Sequence, residues 1–186
     1  MNGPYYIVSD NHFSMNNDIK ESDRRKKLFK VFDKIKIKGE GSLIIGGDFF
    51  DYWFEYKKQI PSGYDSILNA LKDLHNNNIK IYYIAGNHDF WDFGYLNNYT
   101  GLEFYKGDLE LKSNNQKILI THGDGILKSD VGYRFMKKII RSKLFIFLYN
   151  LLPASFTCSL SKKISKSSSD YNHHDKYKSI IFSDTL

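Results

Sequence analysis

Asp10, His12, Asp48, Asn87, His88 and His122 each stand at or just after the end of an apolar run, and they are residue types that bind hard divalent cations. The runs are YYIVSD-N-H, SLIIGGD, IKIYYIAGNHD and KILITHGD. A mixture of carboxylate, amide oxygen and imidazole suits Mn²⁺, Fe²⁺ or Zn²⁺ better than a structural thiolate site does. Strand ends that meet at one edge of a sheet are where α/β folds place their chemistry. Taken singly, a D-x-H or a histidine at a strand end is more often a hydrogen-bonded turn residue. Four such endings in order point to a two-metal hydrolase centre.

The residue types suggest a division of labour. Asp48 lies in GGDFFD, where paired glycines let the backbone turn sharply after a buried strand. A carboxylate can bridge two cations through its two oxygens, which makes Asp48 the natural shared ligand. Asp10 and His12, two apart on an extended segment, would project the same way and bind the first cation. Asn87 offers a neutral oxygen that limits the negative charge facing an anionic substrate, and with His122 it would bind the second.

The elements that must position these residues alternate. After the first strand the spacing predicts a helix from about Ser22 to Lys36, with Ser22 as N-cap and Leu28, Phe29, Phe32 and Ile35 on one face. A second strand covers 42–48, a second helix Ser62 to about His75, and a third strand 79–84. From Glu103 the period moves toward two, and DLELK and KILIT flank SNNQ as a hairpin. Residues 131–152 return to helical spacing, stopped by Pro153. Parallel strands plus a hairpin imply an α/β sheet with mixed edges.

Charge is unevenly placed. The net +6 of the 186-residue chain resides in 128–169, which carries +8, while the segments on either side carry −1 each. The same stretch holds LFIFLYNLL (144–152), too short to span a bilayer, which takes about 20 apolar residues. Basic residues beside a short apolar surface fit a peripheral contact with anionic lipid or a pocket for a greasy anion. The plainer reading is a buried helix with a solvated basic face. Residues 155–169 interleave seven serines with Lys162, Lys163 and Lys166, as a linker or a phosphate-covering loop would. One cysteine, Cys158, and the lack of a cleavable leader pattern make a reducing cytoplasm the expected compartment.

D-N-H (10–12), G-D-F-F-D (47–51), G-N-H-D (86–89) and H-G-D-G (122–125) resemble the ordered blocks of the calcineurin-like metallophosphoesterases. Within them, GGDFFDYWFEYK, GNHDFW and THGDG…DVGYRFMKKIIR are similar to the UDP-2,3-diacylglucosamine pyrophosphohydrolases of lipid A biosynthesis, over about Tyr5 to Ser169. The resemblance implies a β-sandwich flanked by helices, with a core over 1–130, a basic amphipathic helical cap over 131–169 and a return to the core over 170–186. It places Asp10, His12, Asp48, Asn87 and His122 on metal ligands, Asp48 and His88 on catalytic positions, and Asn87, His88, Asp130, Ser165 and Lys166 on substrate contacts. Some family members carry Arg in place of His88. The implied cofactors are two divalent ions, with Mn²⁺ the usual metal. The implied reaction cleaves a lipid-linked nucleotide diphosphate, by a protein peripheral on the cytoplasmic face of the inner membrane and without nucleic acid.

The pattern departs from the family in one block. A late G-H-x-H, which gives one histidine to each metal, does not occur before Leu186. The expectation is a chain that stops before its last strands, binds metal more weakly through three protein ligands per cation and has little or no hydrolase activity. His173 and His174 are adjacent in SDYNHHDKYK and are expected to be solvated rather than to replace the absent pair. Two other classes compete. A calcineurin-like phosphodiesterase for soluble substrates would need no greasy cap, and a non-enzymatic basic protein binding membrane or nucleic acid would show salt-dependent binding indifferent to chelators.

Overall fold

Four short runs pair in parallel as one sheet: β1 (Tyr5–Val8), β2 (Ser42–Ile45), β3 (Lys80–Ile84) and β4 (Glu103–Tyr105), in that spatial order. The computed structural model describes residues 4–152 apart from 17, 57, 58, 114, 115 and 130. β2 is buried along its whole length and β3 everywhere but Lys80, because both faces of a parallel sheet are covered. One face carries α1 (Ile19–Lys38), α2 (Asp65–Asn76) and α3 (Tyr95–Thr100), whose apolar stripes pack on Leu43, Ile45, Ile81 and Tyr83. The other face takes the antiparallel hairpin β5 (Leu109–Ser113) and β6 (Gln116–Ile120), whose Leu109 and Leu111 meet Ile44, Tyr82 and Ile84. The result is the helix-flanked sandwich that the resemblance implies, but not the mixed-edge sheet expected from the spacing: the hairpin forms its own two-stranded sheet, because its apolar Leu109 and Leu111 bury against the face of the parallel sheet rather than pairing at its edge. The chain then forms α4 (Val131–Ile140) and α5 (Lys143–Leu151).

Boundaries shift where local chemistry overrides spacing. α1 starts at Ile19 because Asp18, not Ser22, caps it, its carboxylate accepting from Glu21 N–H at 2.8 Å. Gly39, at φ 68°, ends that helix. α2 begins at Asp65 rather than Ser62, since Gly63 sits at φ 93° and cannot be helical. β2 stops at Ile45, short of the expected 48, because Gly47 and Asp48 take positive φ. The single helix expected over 131–152 is two, broken where Ser142 caps α5 by accepting from Phe145 N–H at 3.2 Å. The six-residue α3 carries too few apolar positions for periodicity to show it.

A buried ion network ties α1 to the loops beneath the first strand. Arg25 donates to Glu21 Oε1 at 3.1 Å, Gly63 O at 2.8 Å and Ser14 O at 2.5 Å, and Glu21 also binds Arg24 at 2.7 Å. Removing one member of a buried pair typically costs 3–5 kcal/mol. Arg24 still neutralises Glu21 in Arg25→Ala, so the expected loss is near the lower end, about 3 kcal/mol. Urea unfolding measures it, and a loss under about 1 kcal/mol would mean that the network adds little beyond a surface pair.

Candidate metal centre

The loops after β1, β2, β3 and β6 converge at one edge; the first three are bonded through their backbones, and the fourth is joined to them through the His122 side chain. Asp10 N–H donates to Gly47 O at 3.0 Å, His12 N–H to Asp48 O at 2.9 Å and Trp53 N–H to His88 O at 2.9 Å. Asp10, His12 and Asp48 lie at φ 51°, 44° and 48°. Left-handed backbone is costly for such residues and persists where surrounding contacts enforce it, often at functional sites. The expectation that Asp10 and His12 share an extended segment is therefore corrected: β1 ends at Val8, and tight left-handed turns, not strand alternation, aim both side chains.

Asp48 is central and 4% exposed. Its Oδ2 lies 3.7 Å from His12 Nε2 and 3.4 Å from His122 Nε2, while its Oδ1 accepts the His88 N–H at 2.9 Å. Both histidine nitrogens thus face one Asp48 oxygen, while the other is held by the backbone. Asp10, Asp48 and His122 present ligand atoms within 4.8 Å of one another. His122 Nε2 also lies 3.4 Å from Asn87 Oδ1. A second group, His12, Asp51 and His88, meets the same 4.8 Å limit. Asp51 stands in the GDFFD motif without an assigned role at the level of sequence.

Histidine tautomers follow from their carbonyl partners. His122 Nδ1 lies 2.9 Å from Gly46 O, and a carbonyl only accepts, so Nδ1 carries a proton and the ring is held with Nε2 toward Asp48. His88 Nδ1 is likewise fixed by Asp51 O at 2.7 Å, with its ring edge-on to His12 at 4.7 Å between centroids. Burial alone would lower the His122 pKa, but the Asp48 carboxylate beside it raises it to about 9. Burial pushes Asp48 upward, yet the His122 and His88 contacts win and hold it below the usual carboxylate range. Burial lowers His12 despite Asp48. The charge that Asp48 concentrates here is charge that a cation would neutralise.

Close backbone approach explains two glycines. A Cβ at Gly47 would lie 2.5 Å from His122 Nδ1, and one at Gly86 would overlap Asp48 Oδ1. Asp89, fully buried, accepts from Phe49 N–H at 2.8 Å, Gly86 N–H at 2.7 Å and Tyr83 O–H at 2.5 Å. Burial, reinforced by Asp48, raises its pKa to about 6. It braces the Asp48 loop against the Asn87 loop, a role suggested in the sequence only by a carboxylate following His88 in an otherwise apolar stretch.

α5 docks beside this edge through Tyr149, whose O–H lies 3.0 Å from the Tyr52 O–H and whose ring sits 4.3 Å from Phe54. Phe145 and Trp91 pack on the same cluster, and Trp91 Nε1–H donates to Ile140 O at 3.1 Å. Leu144, Phe147, Leu148 and Leu151 remain exposed, so the plainer reading of LFIFLYNLL as a buried helix holds only for its Tyr149 side. Among the described residues, no helix is long and apolar enough to cross a membrane. Asp130, Ser165, Lys166, His173 and His174, and the segment 170–186, lie outside the described residues.

Comparison with known proteins agrees with this geometry. The calcineurin-like phosphoesterase family matches residues 3–173. A UDP-2,3-diacylglucosamine hydrolase of Porphyromonas gingivalis is 27% identical over 166 residues, 89% of this chain and 63% of that protein. Proteins of the same name from Proteus mirabilis and Histophilus somni are 31% identical over 133 residues (72% and 55% of the two chains) and 27% over 169 residues (90% and 70%). The chain therefore spans 55% to 70% of the length of these relatives. With its strand-end candidate ligands gathered around Asp48 and the family match running through them, the chain belongs to the calcineurin-like phosphoesterases.

Proposed function

We propose that the chain acts on UDP-2,3-diacylglucosamine, hydrolysing its diphosphate to UMP and 2,3-diacylglucosamine 1-phosphate in lipid A biosynthesis, with two divalent cations, Mn²⁺ by preference. The observation that carries the reading is the placement of an exposed apolar and basic helix pair, α4 and α5, beside a phosphoesterase metal centre. The names of the relatives support the same substrate.

The residues fit such cations. His12 turns Nε2 to within 3.7 Å of Asp48 Oδ2 and leaves its buried Nδ1 without a hydrogen-bond partner, and His122, with Nδ1 held by Gly46 O, would ligate through Nε2 once a cation displaces the proton that Asp48 favours there. Asp10, His12 and Asp48 would hold the first ion, and Asp48, Asn87 and His122 the second. When bound, such ions supply Lewis-acid charge at phosphoryl oxygens and make water a better nucleophile near neutral pH. Gly46 O and Asp51 O orient the His122 and His88 rings. His88, with Nδ1–H committed to Asp51 O, offers a second proton from Nε2 only as imidazolium, the form suited to stabilise charge on the phosphate. Asn87 contributes an uncharged oxygen, keeping the site from repelling a diphosphate.

The division into a core over 1–130, a cap over 131–169 and a return over 170–186 belongs to this reading, with Asp130, Ser165 and Lys166 as further cap contacts. The exposed Arg134, Lys138 and Lys143, with the exposed Leu144 and Phe147 on the same helix pair, suit a peripheral contact with anionic lipid on the cytoplasmic face of the inner membrane. Nucleic acid is not an expected partner.

The test is Mn²⁺-dependent binding and UMP release with UDP-2,3-diacylglucosamine, set against UDP-N-acetylglucosamine, which lacks the acyl chains. Preference for the acylated compound supports the reading. Equal handling of both would move it to a phosphodiesterase for soluble substrates.

Phe147→Ser with Leu148→Ser gives a sharper check of the cap, since both side chains are exposed while Phe145 is part of the Tyr149 cluster and must stay. Apolar burial stabilises by about 25 cal/mol per Å², so covering part of each side chain predicts about a tenfold loss of affinity for the diacylated ligand. UMP affinity should be unchanged, and equal losses for both ligands would show that the pair supports folding instead.

A further inference from the structure

α4 has no buried residue, so apolar packing does not hold it on the core. Besides the Trp91 bond to Ile140 O at its end, three polar side chains do. Tyr133, Lys137 and Arg141 recur at intervals of four, which on a helix of 3.6 residues per turn brings them to one face. All three converge on Asp124 Oδ2, from Tyr133 O–H at 3.0 Å, Lys137 Nζ at 2.7 Å and Arg141 Nη2 at 3.1 Å. Lys137 donates to the Asp124 carbonyl as well, at 2.8 Å. Phe135 and Ile139, offset by two from that face, point away from the clamp and are exposed.

The clamp reaches the metal loops from two sides. Asp124 lies two residues beyond His122. Arg141 Nη2 also donates to Gly86 O at 3.0 Å, next to Asn87, and its guanidinium covers the Phe90 ring at 4.1 Å. One face of α4, with Arg141 just past its end, is therefore fixed to both loops that carry the proposed ligands of the second cation, His122 and Asn87. The side chains of Asp124 and Arg141 are 13% and 18% exposed, against 57% and 68% for Asp23 and Lys26 on α1. A pair shielded to that degree is screened much less by salt and water than an exposed one.

We infer that Asp124 and Arg141 are a positioning pair, which registers the apolar face of α4 and α5 against the metal loops so that a ligand with acyl chains on the helices has its phosphate at the cation site. The inference rests on the proposed function. Its physical content is a chelate effect: two halves of one ligand gain from each other only when the spacing of their two subsites is held.

Calorimetric titration of the protein with 2,3-diacylglucosamine 1-phosphate in mixed micelles, and separately with inorganic phosphate, each with and without Mn²⁺, tests it. In the unmodified protein Mn²⁺ should tighten the diacylated ligand at least about tenfold, within the usual range of coupling between sites. In Asp124→Asn, in Arg141→Gln and in the double variant that gain should fall to within about twofold of none, the double being no worse than either single. Mn²⁺-dependent binding of inorganic phosphate should stay unchanged in all three. Retention of the full gain in the variants would overturn the inference. So would parallel loss of inorganic phosphate binding, which would make the pair a support for the metal loops alone. If the unmodified protein binds phosphate with Mn²⁺ but not the diacylated ligand, the proposed function fails and takes the inference with it. That failure is seen before any variant is made.

Discussion

Asp48→Ala is expected to remove metal binding at both positions, because the same Oδ2 faces His12 on one side and His122 on the other. Single-ligand losses elsewhere should be milder: His12→Ala strips one candidate ligand from the first ion and His122→Ala one from the second. The substitution deletes a buried carboxylate and leaves the His88 N–H without its acceptor, so the apo fold needs its own control by circular dichroism. Asp48→Asn separates the effects. Asn keeps an oxygen for His88 N–H and tolerates left-handed φ, yet lacks the charge that two cations need. Metal analysis after Mn²⁺ loading should show near-zero stoichiometry for Ala and greatly weakened binding for Asn. Unchanged stoichiometry in Asp48→Ala would end the shared-ligand assignment.

Gly86→Ala should be the most damaging single methyl among the described glycines. Its Cβ would overlap Asp48 Oδ1 and lie 2.5 Å from Asp48 N and 2.7 Å from Cγ, atoms that the backbone pairing of His12 and His88 already fixes. Neither neighbour can retreat, so the Asn87 loop must move. Overpacking of this kind costs about 1–3 kcal/mol, and a shift of about 1 Å at a reacting centre can lower turnover about a hundredfold. Gly132 is the contrasting case: it lies in α4 with nothing within 4 Å of an added Cβ, and Gly132→Ala should be neutral or stabilise by about 0.5–1 kcal/mol. Thermal melts and Mn²⁺ titrations of the two variants provide the comparison. A Gly86→Ala protein with unaltered metal affinity and stability would show that the Asp48 loop is looser than the packing implies.

Local patterning determined the larger part of this protein. The apolar runs leading to Asp10, Asp48, Asn87 and His122, the hairpin around SNNQ and the apolar stripes of α1 and α2 all follow from side chains within a few residues of each other, where strand alternation and helical period act directly. The greasy, basic segment after 128 was equally plain from composition. What composition cannot state is which side of that segment is covered. Only docking of Tyr149 on Tyr52 and Phe54 decided that Phe145 packs inward while Phe147 and Leu148 stay exposed. The braces were hidden for a related reason. Asp89 bonds Phe49 across 40 residues, His88 reaches Asp51 across 37, and Arg141 meets Gly86 across 55. An acid or a guanidinium carries no mark of its partner until the sheet brings four loops to one edge, because the free energy of a buried hydrogen bond depends on the geometry at both ends and local sequence specifies only one.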